Sequence, residues 1–131
     1  MALLLPNQGE GIALEALVNK TAPQNLVLRL YKSNTTPGET DTEATYTEAD
    51  FTGYSAVTLT GGSWTTGTGT VSYAQQTFTS SAGSQNQNVY GYYLTQVTSG
   101  KLVWAERFSD GPYNVVNNGD EIKVTPTISA D

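Results

Sequence analysis

The residue types that carry out most enzymatic chemistry are scarce in this chain. It has no His and no Cys, so the commonest general base, the commonest metal ligand and any thiolate are missing. A Ser nucleophile needs a base, and Lys20, Lys32, Lys101 and Lys123 all lie in polar surroundings that do not suggest a Ser-Lys pair. The residues therefore give no indication of acyl-transfer chemistry.

Carboxylates beside aromatic segments are the next candidates for catalysis. A glycosidase needs two carboxylates across a cleft, and Glu106 with Asp110, or Glu121, are the acids that stand near such segments. Glu106 inside a strand and Asp120-Glu121 at a turn are also what solvated strand ends look like, and that interpretation has the stronger support. We therefore predict a protein that is not an enzyme, with no catalytic residues and no cofactor.

One acidic stretch offers oxygen ligands to a hard cation. Glu39, Asp41 and Glu43 occupy alternate positions, which would suit Ca²⁺. The stretch lacks the glycine and the closing bidentate Glu of an EF-hand loop. A solvated acidic loop without a metal is the simpler interpretation.

Large apolar side chains are the better candidates for binding. The aromatic residues can form a stacking platform for sugars, a hydrophobic interface or the core itself. At the N-terminus, residues 1–6 form an apolar arm that either packs on its own domain or reaches a neighbour. The candidate interface drawn from these two groups consists of Leu3, Leu4, Leu5, Tyr92, Trp104 and Tyr113.

Length and charge restrict the class of protein. With 131 residues the chain is long enough for one domain, taken as 7–131, with a core of its own. A net charge of -6 argues against binding nucleic acid, which requires clustered Lys and Arg. The apolar run 2–5 ends at Pro6 and is too short for a membrane span or a signal peptide, so we expect no membrane partner and synthesis in the cytoplasm.

The stretch 88–108 is the strongest structural signal in the sequence. Two runs rich in Val, Tyr, Leu and Trp flank residues 98–101, where Gly100 can adopt the positive φ of a tight turn. This pattern predicts a central β-hairpin. Because both of its faces carry large apolar groups, we expect a second sheet, a helix or another subunit on each side.

Other segments predict one helix and several strands. The helix is expected at 7–20, with Asn7 and Glu10 as a capping box and an apolar stripe formed by Ala13, Leu14, Leu17 and Val18. Strands are expected at 25–32, 54–60, 71–79 with a bulge near Gln75, 113–116 and 121–129.

Turn chemistry adds three further expectations. A single helical turn is predicted at 47–50, and Asn118-Gly119 predicts a tight hairpin between the last strands. Because Pro126 cannot donate to a strand ladder, the final strand should lie at a sheet edge or end its pairing there. The predicted fold class is mainly β: a small antiparallel β-sandwich, jelly-roll-like, with one N-terminal α-helix.

A family resemblance covers nearly the whole chain. Its segments are LLLPNQGEGIALEALVNK, LVLRLYKSNTTPGETDTEATYTEADFTGYSAVTL, QQTFTSS, VYGYYLTQVTSGKLVWAERF and NNGDEIKVTPTIS. In this order they resemble small virion proteins of tailed bacteriophages, in particular capsid decoration (cement) proteins, with similar sequences among tail-associated proteins.

The resemblance implies a non-enzymatic virion structural protein with no catalytic residues. Such a protein would be a homotrimer on the outer capsid surface, assembled in the host cytoplasm, with the major capsid protein as its partner. Binding would stabilise the shell by bridging neighbouring capsomers. The alternative is a tail or head appendage that recognises a host-surface glycan through Tyr and Trp.

Overall fold

The protein is described by a computed structural model that covers residues 5–130. Its elements are α1 (Asn7–Leu17), β1 (Leu26–Tyr31), β2 (Val57–Leu59), β3 (Thr65–Gly67), β4 (Thr70–Ser72), β5 (Gln76–Thr79), β6 (Gln87–Val89), β7 (Gly91–Gln96), β8 (Leu102–Arg107), β9 (Tyr113–Val115), β10 (Glu121–Val124) and β11 (Thr127–Ser129). Short 3-10 helices lie at Glu43–Thr45 and Gly61–Ser63. The predicted class, a mainly β protein with one N-terminal helix, is confirmed.

The strand pairs formed by the described residues are all antiparallel. The main sheet has the order β2-β1-β7-β8, and smaller sheets have the orders β10-β5, β11-β4-β3 and β6-β9. Apolar side chains of the main sheet, such as Leu28, Leu94 and Trp104, share one buried cluster with Phe78 and Ile122 of the β10-β5 sheet. The arrangement is that of a small β-sandwich-like fold, as predicted.

The predicted hairpin is confirmed as β7 and β8. Gly100 in its turn has a φ of +73°, which only glycine adopts freely. All six residues of β7 are buried, so both faces of this strand are covered, as the sequence pattern requires. Residues Gly91–Gln96 therefore lie at the centre of the molecule.

A cluster of tyrosines covers the second face of the hairpin. Tyr46, from the long loop after β1, stacks on Tyr93 with ring centroids 5.0 Å apart and lies 4.9 Å from the Tyr31 ring. Glu48 in the same loop accepts hydrogen bonds from Arg29 (2.9 Å) and from the Tyr54 hydroxyl (2.6 Å). The loop after β1 therefore covers this face of the hairpin. A second subunit, which was one of the predicted possibilities, is not needed to bury it.

This cluster predicts a loss of stability at alkaline pH. Burial raises the pKa of Tyr31 and of Tyr93 to about 12 from the model-compound value of 10.0. Above pH 10 the unfolded chain releases tyrosine protons that the folded chain retains, so the free energy of unfolding falls as pH rises. We expect the urea midpoint to decrease as pH rises from about 10 to about 12. An unchanged midpoint over that range would contradict the prediction.

The helix begins at Asn7 as predicted, but its capping and its C-terminal end differ from the prediction. Pro6 is the N-cap, and because proline has no polar side chain it makes no side-chain cap; Asn7 lies inside the helix, and its N–H donates to the Glu39 carbonyl at 2.9 Å. At the other end Asn19 adopts a φ of +58°, and its N–H donates to the Ala16 carbonyl. The Lys20 N–H donates to the Glu15 carbonyl at 2.8 Å. These two bonds form a Schellman motif, so the helix ends at Leu17 rather than at residue 20.

Three local expectations meet different outcomes. The helical turn at 47–50 is wrong, because the Ala49 N–H donates to the Leu30 carbonyl and the helical turn lies at Glu43–Thr45 instead. Asn118-Gly119 forms a turn but not a hairpin, because β9 pairs with β6 and β10 pairs with β5. Pro126 divides the last predicted strand, and β11 lies at a sheet edge as expected.

No helix among residues 5–130 has the length and apolarity that a bilayer span requires.

Candidate functional site

The outer face of α1 is the most exposed apolar surface in the described chain. We use this name for Leu14, Leu17 and Val18, which are 62%, 81% and 71% exposed. Their spacing of three and four residues places them together on one side of the helix. The sequence pattern marked these residues as an apolar stripe, which ordinarily faces the core. Here the stripe faces outward.

The orientation of α1 is set by its N-terminal half. A Cβ on Gly9 would lie only 1.8 Å from the Val103 carbonyl oxygen, so the helix backbone touches β8 at that residue. The Gln8 Oε1 accepts the Leu102 main-chain N–H at 2.7 Å. These contacts, together with Ile12 against the core, turn the opposite side of the helix to the outside.

The C-terminal end of α1 is held as well. The Glu15 carbonyl accepts the Lys20 N–H at 2.8 Å, and the Glu15 carboxylate accepts the Thr21 hydroxyl at 2.7 Å. Because each end of the helix has its own anchors, the outer face of α1 is displayed on a fixed element. A partner that bound this face would need to order the helix very little, which favours affinity.

Two shallow depressions border the helix on its sheet side. One, of about 310 Å³, lies between α1 and the β7–β8 turn and has a mixed lining that includes the polar residues Glu15, Gln96 and Lys101. The other, of about 270 Å³, is mostly apolar and is lined by residues such as Leu26 and Trp64. Neither depression is lined by a set of catalytic groups. Both make the surface beside the outer face of α1 uneven.

Two residues of the predicted interface are buried in the core. Tyr92 and Trp104 are each 3% exposed and belong to the main apolar cluster, so they cannot contact a partner as the molecule stands. Both lie on the face of the hairpin that packs against the other sheets, which the sequence could not tell from an intermolecular face. Their place in the candidate interface is therefore corrected.

The remaining predicted interface residues have mixed positions. Leu5 is half-buried and packs against the main cluster. Tyr113 is half-buried, lies 4.8 Å from the Phe108 ring between centroids, and donates its hydroxyl hydrogen bond to Asp110. Leu3 and Leu4 lie outside the described residues.

The exposed apolar surface of the described residues is aliphatic. Every Tyr, Trp and Phe among residues 5–130 is buried or half-buried. Within this described range, the large hydrophobic side chains that are exposed are those of the outer face of α1 and Val97, which is 49% exposed at the β7–β8 turn. Stacking on a sugar needs an accessible ring face, whereas aliphatic side chains suit a protein partner.

The candidate carboxylates have structural partners. Asp41 accepts hydrogen bonds from the Gly38 N–H (2.8 Å) and the Tyr46 hydroxyl (2.7 Å), which ties down the acidic loop. Asp120 accepts the N–H groups of Asn117 and Val116, and these bonds hold the pKa of its carboxyl below the usual value. Residues 5–130 contain no group of three acidic side chains placed to hold a metal ion.

Comparisons with known proteins add no relative. Protein-family models, curated proteins and solved structures all give no match to this chain. The case for a function therefore depends on the residues and on the geometry of the surface.

Proposed function

We propose that the protein is a non-enzymatic virion structural protein that binds the outer surface of a phage capsid and stabilises it by bridging capsomers. The observation that carries the proposal is the exposed aliphatic outer face of α1 on an anchored helix. The resemblance to decoration proteins gives the partner, the major capsid protein. The geometry gives a surface with which that partner can be bound.

The size of this surface fits a protein that acts in many copies. Burying one Leu or Val side chain fully contributes about 1.5–3 kcal/mol, so three of them supply a contact that is weak by itself. Association costs offset much of that gain. A homotrimer would present three such faces to one shell, and linked contacts raise the overall affinity without any new contact.

The glycan-binding alternative has less support from the structure. It depends on Tyr and Trp rings at the surface, and residues 5–130 carry no aromatic side chain in the exposed class. Tyr113, half-buried and hydrogen-bonded to Asp110, is the predicted interface ring with the best remaining access.

Binding to capsids tests the proposal. Purified protein is mixed with expanded capsids of the encoding phage that lack it, and bound protein is quantified after sedimentation. Saturable binding at a few copies per capsomer, with a higher capsid disruption temperature, is expected. No binding, together with a glycan-array signal that Tyr113→Ala abolishes, would favour the alternative.

The oligomeric state gives a separate prediction. We expect light scattering after size exclusion to give about three times the 14.0 kDa chain mass. A monomer at micromolar concentration would contradict the trimer, while leaving capsid binding by single copies open to its own test.

A further inference from the structure

Asn118 is the one asparagine in the sequence that is followed by glycine. An asparagine side chain loses ammonia spontaneously when the main-chain nitrogen of the next residue attacks its Cγ. Glycine in the next position favours that attack, because it has no Cβ to obstruct the approach. Asn118 and Gly119 are both exposed, so water reaches the pair. The sequence and the exposure together make Asn118 the side-chain amide best placed for this reaction.

The turn that contains the pair, residues 116–120, is held by its own hydrogen bonds. The Asp120 N–H donates to the Asn117 carbonyl at 3.1 Å, and Gly119 has a φ of +93°, as the third residue of a type II turn requires. The Asp120 carboxylate accepts the N–H groups of Val116 at 2.9 Å and of Asn117 at 2.8 Å. This side chain therefore fixes the main chain immediately before Asn118.

The nitrogen that must attack is hydrogen-bonded in the folded chain. The Gly119 N–H donates to the Ser80 carbonyl, and the Ser80 N–H donates to the Asp120 carbonyl, both at 2.8 Å. Two successive residues of the turn thus face one residue just beyond β5, which is the pattern of a β-bulge with glycine in its first position. Ser80 is 1% exposed, so the contact lies away from water. Because the attack must remove the proton that Gly119 donates to Ser80, this bond has to open first.

We propose that Asn118 is a site of spontaneous deamidation and that the opening of the 116–120 turn from Ser80 sets its rate. The Gly119 nitrogen loses its proton to hydroxide and forms a bond to the Asn118 Cγ. The Cγ–Nδ2 bond breaks, and the departing group takes a proton from water and leaves as ammonia. Water then opens the five-membered imide at either carbonyl, which gives aspartate or isoaspartate at position 118. Water is the co-reactant, and no electron is transferred.

The two products differ in their effect on the fold. Aspartate keeps the main chain as it is and adds one negative charge to a chain of net charge -6. Isoaspartate inserts a methylene into the main chain before Gly119, so Gly119 and Asp120 can no longer both meet Ser80. The ladder between β5 and β10 starts one residue further on, where Thr79 pairs with Glu121. Isoaspartate therefore loosens this end of the β10-β5 sheet.

Peptide mapping by mass spectrometry of aged protein tests the site. The full chain is incubated at mildly alkaline pH, in buffer and in denaturing urea, and ammonia loss is followed at each asparagine. Loss is expected at Asn118 in both samples, at least about tenfold more slowly in the folded one. Asn117, whose next residue carries a side chain, is the internal control. Equal rates in buffer and urea would overturn the control by the turn, and loss at Asn117 as fast as at Asn118 would overturn the site.

Variants of Asp120 separate the opening of the turn from the reactivity of the pair. Asp120→Ala removes the acceptor for Val116 and Asn117, and should raise the rate in the folded protein by about tenfold while leaving the rate in urea unchanged. Asp120→Asn keeps an acceptor oxygen and should fall between this variant and the parent.

Glu121→Ala is the matched control for these variants. It removes the neighbouring carboxylate, whose partner is Lys123 outside the turn, and should leave the rate within about twofold of the parent. Circular dichroism confirms that the compared variants are folded. Equal acceleration by Asp120→Ala and Glu121→Ala would assign the effect to lost negative charge and contradict the proposal. None of these results depends on whether the protein binds capsids.

Discussion

Gly9→Ala is expected to reduce the free energy of unfolding by about 3 kcal/mol, although alanine is the better helix former. The added Cβ would lie 1.8 Å from the Val103 oxygen and 2.8 Å from its carbonyl carbon, both of them main-chain atoms of β8. Strand main chain cannot move aside as a flexible side chain can. The helix must therefore shift away from the sheet edge and weaken the Gln8 contact with Leu102. Urea unfolding followed by circular dichroism measures the change.

Gly11→Ala is the matched control, two residues along the same helix. A Cβ at Gly11 meets no atom within 4 Å, so the only expected effect is the gain in helix propensity, about 0.5–1 kcal/mol of added stability. The two variants make the same chemical change with opposite expected signs. Equal effects at Gly9 and Gly11 would show that the close approach of α1 to β8 does not limit stability.

The double variant Leu14→Gln, Leu17→Gln is expected to weaken capsid binding by about 100-fold. Each substitution removes most of an aliphatic side chain's burial in the complex, about 1.4 kcal/mol per site. Both residues are exposed in the free protein, at 62% and 81%, so folding stability should change by no more than about 0.5 kcal/mol per site. Capsid sedimentation gives the affinity, and thermal unfolding gives the stability.

Val97→Gln is the control for this variant. Val97 is also an exposed aliphatic residue, 49% accessible, but it lies on the β7–β8 turn instead of α1. Capsid affinity should stay within about twofold of the parent. If the Val97 and helix variants weakened binding equally, general surface hydrophobicity rather than the outer face of α1 would explain the attachment.

The sequence predicts the hairpin well because its signals are local. Period-two alternation, aromatic residues and a glycine at the turn all act within residues 88–108, and the fully buried β7 follows from apolar groups on both faces. Asn118-Gly119 shows the limit of such signals. Its turn forms, but which strands pair on either side depends on contacts with β5 and β6, which are distant in sequence.

The helix shows why the site itself was harder to predict. Periodicity finds an apolar stripe but not the side of the helix that meets the core. Here Gly9, which carries no hydrophobic signal, helps to set the orientation through its contact with Val103, together with Gln8 and Ile12. Tyr92 and Trp104 show the opposite error, because they were predicted at an interface and are buried in the core. Large aromatic residues on a strand have the same sequence pattern in both places. Only the packing of the sheets separates the two cases.

A cryo-EM reconstruction of capsids decorated with this protein tests the central claim most directly. We expect the outer face of α1 to lie in van der Waals contact with the major capsid protein, with Leu14, Leu17 and Val18 buried at the shell surface. A reconstruction in which this face remains in solvent, or is buried between copies of the protein while another surface contacts the shell, would contradict it.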